Sequence, residues 1–117
     1  MALMDDLKDL GVNVDEGVKR LMGNAGLYEK MLGTFVKMME TSTVDPDFDG
    51  ENYNDVIETT HAIKGAAGNL SITPVYEAYT KIVDLLRTGQ PEQAREILVK
   101  VIPVQTEIVE CIKKYKG

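Results

Sequence analysis

Apolar residues recur at intervals of three and four along almost the whole chain, and this rhythm restricts the fold more than any other feature. On an α-helix that spacing gathers side chains on one face, whereas a strand needs a spacing of two. Leu3, Leu7 and Leu10 set the pattern in a short first element that closes at Gly11. Val14, Val18 and Leu21 repeat it in a second, which Asn13 can cap. Asn24 can cap a longer helix with a stripe of Tyr28, Met31, Leu32, Phe35, Met38 and Met39. The methionines fall in register with Phe35, so they are expected in the core rather than in a binding groove.

Residues 43–50 have the composition of a loop, and a helix is expected over about 52–70. Thr73-Pro74 reads as a capping hydroxyl followed by proline at the first helical position. Val75, Ala78, Tyr79, Ile82, Leu85 and Leu86 then form a stripe that stops at Gly89. Pro91 opens the last helix, whose stripe runs from Ala94 through Leu98, Val101 and Ile108 to Tyr115. Pro103 lies inside it and removes one backbone donor, so a kink is expected, with a break into two helices as the alternative.

Aromatics are only 6% of the chain, and no run alternates long enough for a strand. Short links make sequential helices antiparallel. The expected fold is therefore all-α: an antiparallel up-down four-helix bundle over 24–116, preceded by a helical N-terminal arm over 1–23. At 117 residues the chain suits a single domain over 1–117.

A net charge of −6 disfavours nucleic acid. The one basic cluster, Lys113, Lys114 and Lys116, reads as favourable charge at a helix C-terminus. No apolar run approaches the roughly 20 residues of a membrane span, and no secretory leader is recognisable. The single cysteine, Cys111, excludes an internal disulfide and fits a reducing compartment. A cytoplasmic monomer without membrane or nucleic-acid partners is expected, and the opening methionine suggests a free-standing chain.

The one histidine, His61, stands in His61-Ala-Ile-Lys64-Gly65-Ala-Ala-Gly68-Asn-Leu70. Positions three, four and seven after it share its helical face, and these are Lys64, Gly65 and Gly68. Val56, Thr59, Ile63, Ala66, Ala67 and Leu70 occupy the other side as a buried stripe. Each glycine costs a helix about 1 kcal/mol relative to alanine, so two on a solvated face need a reason. Clearing side chains from the next turns lets a bulky partner approach the imidazole. Lys64 supplies positive charge suited to phosphoryl oxygens, and neutral imidazole is a nucleophile. Metal binding is disfavoured without a second histidine. No nucleophile elbow accompanies a Ser-His or Cys-His arrangement. A buried Gly65–Gly68 packing site would drag Lys64 into the core unpaired.

His61-x-x-Lys64-Gly65-Ala66-Ala67-Gly68 resembles the central motif of histidine-containing phosphotransfer (HPt) domains, particularly in phosphorelays fed by hybrid sensor kinases. The likeness extends over most of the chain, through Gly11-Val-Asn-Val-Asp-Glu-Gly-Val-Lys-Arg-Leu21, Tyr28-x-x-Met-Leu-x-x-Phe35 and Ala78-x-x-x-Ile82-x-Asp84-x-x-Arg87-x-Gly89. Two positions depart from it. The family often has glycine where Ser71 stands, which bears on how the histidine helix ends, and often glutamate in place of Asp84.

The resemblance implies that His61 accepts a phosphoryl group from a receiver-domain aspartate and passes it to another receiver. Lys64 would stabilise its charge, while Gly65, Gly68 and Ile57 would belong to the docking face. The implied partners are response-regulator receiver domains and a hybrid sensor histidine kinase. No cofactor is expected on this chain, the Mg²⁺ being carried by the receiver. The chain is then a phosphoryl carrier and not an enzyme in itself, and it has no nucleotide-binding loop. The alternative is a helical interaction module that is never phosphorylated. A kinase dimerisation helix pair would need an ATP-binding domain for which 117 residues leave no room.

Overall fold

In the computed structural model, which describes residues 2–116, the apolar rhythm resolves into six helices, with no strand among the described residues. Met1 and Gly117, the two ends of the expected domain, lie outside the described residues, and so does the side chain of Lys116. The helices are α1 (Ala2–Asp9), α2 (Val14–Arg20), α3 (Ala25–Thr41), α4 (Asn54–Asn69), α5 (Thr73–Arg87) and α6 (Pro91–Lys116). Among the described residues, none is long and apolar enough to cross a membrane.

Two starts follow the expected capping chemistry. The Asn13 side chain accepts from the Glu16 N–H at 3.2 Å, and Asn24 accepts from the Leu27 N–H at 3.0 Å. The other two differ by a residue or two. α4 begins at Asn54 after Tyr53, and α5 has Ile72 as its cap with Thr73 already helical. Neither end has a capping side chain. The Thr73 hydroxyl instead donates back to the Ser71 carbonyl at 3.3 Å.

Four helix ends close in one way. At the ends of α1, α2, α4 and α5 the residue past the cap takes a positive φ and the next N–H reaches back five residues, as in Val12→Leu7, Gly23→Val18, Ile72→Ala67 and Gln90→Leu85. Gly11 and Gly89 hold that position in α1 and α5, while Met22 (φ 59°) and Ser71 (φ 54°) hold it in α2 and α4.

The core lies where α4 packs on α5, α5 on α6, and α3 on both α4 and α6. Tyr28, Leu32 and Phe35 of α3 meet Ile63 and Ala67 of α4, Tyr79, Ile82 and Leu86 of α5, and Leu98 and Ile108 of α6. Leu3 and Leu7 of α1 close it against α6. Of the methionines placed in the core from sequence, Met39 is buried. Met31 and Met38 are only half-buried and edge a groove of about 330 Å³ with Phe35 and Ala66.

α6 runs unbroken through Pro103, so it is one helix and not two. Val99, whose carbonyl loses its partner there, is exposed, so water can satisfy it. The 26 residues of α6 extend about 39 Å, nearly the 45 Å length of the molecule.

The loop between α3 and α4 is held from α6. The Arg95 guanidinium donates to the carbonyls of Pro46 and Phe48 and lies 4.3 Å from the centre of the Phe48 ring, which meets Tyr53 edge-on. At the far end of α6, Lys113 pairs with Glu40 at 3.1 Å, so that lysine ties α6 to α3 besides lying near a helix terminus.

Burial pushes the Tyr28 and Tyr79 phenols up to about 12. Their neutral forms are favoured by folding, so that stabilisation is complete below about pH 10, the phenol's ordinary value, and is lost as pH rises through 12. Melting temperature is expected to fall steeply between those values. A Tyr79→Phe variant should show a shallower fall, and equal slopes would refute this assignment.

Candidate functional site

α4 presents His61 to solvent in mid-helix, with Glu58, Ala62 and Gly65 exposed around it. The opposite face is buried through Thr60, Ile63, Ala67 and Leu70. Val56, Thr59 and Ala66, expected in that stripe, are half-buried at its margins. Thr60, rather than the expected Thr59, is the buried threonine. Its hydroxyl donates to the Val56 carbonyl at 2.8 Å and lies 3.1 Å from that of Ile57, so it enters the core with its hydrogen bonding satisfied inside its own helix.

The expected site residues do not behave alike. His61 is exposed and Lys64 half-buried, and neither side chain takes part in a hydrogen bond or ion pair among the described residues. A Cβ placed on Gly65 would meet nothing within 4 Å, so the space above this turn is open. Gly68 is different. A Cβ there would stand 2.9 Å from two ring carbons of Tyr76, so this glycine seats an aromatic side chain of α5. Ile57 is half-buried and packs against the core, leaving only part of it on the histidine face.

These differences give opposite stability effects for one substitution. Gly65→Ala gains helix propensity into empty space, about 1 kcal/mol, and should raise the melting temperature by roughly 4 °C. In Gly68→Ala the same gain is offset by displacing the Tyr76 ring, so no rise is expected. Thermal melts of the pair decide the point, and equal gains would contradict the seating of Tyr76.

The end of α4 is locked by α2. The Asn13 N–H donates to the Ser71 carbonyl at 2.9 Å, and the buried Tyr28 hydroxyl donates to the Leu70 carbonyl at 2.7 Å. The Ser71 hydroxyl donates to Glu16 at 3.1 Å, and Arg20 donates to the same carboxylate at 2.7 Å. The Arg20 bond, then the Ser71 bond, hold the Glu16 carboxyl below its usual range. Ser71 thus occupies a left-handed position where glycine is the easy residue, and its side chain is tied into α2. The departure at residue 71 leaves the helix end intact.

Beside this lock runs a cleft of about 540 Å³, walled by Gly65, Gly68 and Asn69 of α4, Tyr76 and Glu77 of α5, and the Glu16–Arg20 pair of α2. His61 stands one turn before its near edge. Among the described residues, no group of three or more His, Cys, Asp or Glu side chains is placed to hold a metal ion. The lone Cys111 is half-buried on α6, where burial, then Asp6, pushes its thiol pKa up.

Comparison with protein-family models, curated proteins and solved structures gives no match for this chain.

Proposed function

We propose that this chain is a histidine phosphotransfer carrier, in which α3–α6 form an antiparallel four-helix bundle with α1–α2 as its N-terminal arm. His61 accepts a phosphoryl group from the aspartate of one receiver domain and yields it to another. The observation that carries the reading is the exposed, unengaged imidazole of His61 with open space above Gly65 one turn on. Among the described residues no side chain is bonded to the ring, and the turn beyond it is open to an approaching protein.

In the transfer, an imidazole nitrogen forms a P–N bond as the P–O bond to the partner's aspartate breaks and its carboxylate leaves. Such transfers depend mainly on positioning and charge stabilisation. This chain supplies the nucleophile, the Lys64 ammonium and the cleared surface. The receiver supplies the aspartate and its Mg²⁺, so neither a cofactor nor ATP chemistry belongs to this chain. A hybrid sensor kinase would feed the relay, and the cytoplasm is the compartment that fits it.

The test is to mix the protein with phosphorylated receiver domains and map any label. An acid-labile, base-stable label on the peptide containing His61 is expected. The reading fails if no receiver donates, or if the label lies elsewhere. Lys64→Ala is expected to keep the wild-type melting temperature and to slow transfer roughly tenfold, about 1.4 kcal/mol of barrier. An unchanged transfer rate would remove Lys64 from the site.

A further inference from the structure

We infer that Tyr76 of α5 is an anchor for the docked receiver and helps decide which receivers are accepted. This rests on the phosphotransfer reading above. The ring is seated against Gly68, yet Tyr76 keeps 39% of its surface in solvent. Gly68 is seven residues beyond His61, about 10.5 Å along the helix and on the same face. A specific protein interface covers about 800 Å² on each partner, equivalent to a disc of about 16 Å radius. A receiver centred on His61 therefore covers Tyr76.

The chemistry of the residue suits an anchor. Tyrosine offers a large apolar ring with a polar tip and few rotatable bonds, and it is enriched where interface energy concentrates. The Gly68 notch holds the ring before any partner arrives, so less side-chain freedom is lost on docking. Its position in the wall of the cleft that Gly65 also lines gives a partner side chain both an aromatic surface and room to enter. Gly68 thus acts through Tyr76, which fills the space a clearing glycine would otherwise leave.

The decisive measurement is the rate of transfer from a phosphorylated receiver as its concentration is varied. Tyr76→Ala is expected to raise the half-saturating concentration about 30-fold, which corresponds to about 2 kcal/mol. The saturating rate should stay within about twofold, because the anchor positions the partner and does not touch the reacting atoms. Tyr76→Phe should titrate close to wild type. Tyr76→Gln gives the same reading as alanine should the alanine variant not fold. A folded variant with an unchanged half-saturating concentration, or with only its saturating rate reduced, overturns the role of Tyr76. Phosphoramidate, a small donor that needs no docking surface, reports on His61 alone. A wild-type protein labelled by phosphoramidate but by no receiver overturns the receiver reading, and this proposal with it.

Discussion

A His61→Gln variant is expected to take no label from any phosphorylated receiver while melting at the wild-type temperature. The side chain is exposed and has no partner among the described residues, so its loss leaves no buried group unsatisfied and no cavity. Glutamine keeps polarity and approximate size but has no nucleophilic nitrogen lone pair. Gly65→Leu then separates access from chemistry. The Cβ of a leucine there meets nothing within 4 Å and leucine improves helix propensity, so stability should hold or rise. Placed one turn from the imidazole, it stands where the receiver must come, and transfer should fall at least roughly 100-fold, about 2.7 kcal/mol. Phosphoramidate, being small, should still label His61 in that variant. Wild-type transfer by Gly65→Leu would mean that receivers do not approach over this turn.

Gly17→Ala is expected to be the most damaging of the conservative substitutions. The added Cβ would lie 2.4 Å from a ring carbon of Tyr28 and 2.8 Å from the Leu70 carbonyl oxygen. The ring is fully buried and its hydroxyl is bonded to that same carbonyl, so neither can move without breaking the contact between α3 and the end of α4. Overpacking costs about 1–3 kcal/mol, and an orphaned buried hydrogen-bonding group adds about 1–3 kcal/mol. A total of about 3 kcal/mol or more should lower the melting temperature by over about 10 °C. A melt within a few degrees of wild type would show that α2 is not wedged against Tyr28. Reduced transfer should accompany the loss, because α2 fixes the C-terminal end of the helix that carries His61.

The helices were legible because their signals are local. The rhythm of Tyr28, Leu32 and Phe35 and the caps at Asn13 and Asn24 each need only a few neighbouring residues. His61 was legible for the same reason, since Lys64 and Gly65 share its face by helical geometry alone. The other features depend on chain segments meeting across the fold. No spacing rule tells that Gly68 clears room for Tyr76 of the same chain while Gly65 clears room for nothing within it. Gly17 reads as a weak point in a short helix until the Tyr28 ring and the Leu70 carbonyl are placed beside it. Arg95 reads as one exposed charge among several until the Pro46 and Phe48 carbonyls surround its guanidinium. Thr60 is buried in place of its neighbour Thr59, and its hydroxyl bonds within α4 remove the penalty for a polar group there.

α6 touches α1, α3 and α5, and it is the last of the six helices to be synthesised. Until Ile108 and Ile112 of α6 are in place, the faces of α1, α3 and α5 turned to α6 stay open, and α4 rests on α5 and α3. Isolated helices of 7–17 residues are marginal in water, so the earlier helices depend on packing against one another and then on α6. The histidine helix therefore takes its direct support from α5 and α3, and α6 closes the core behind them.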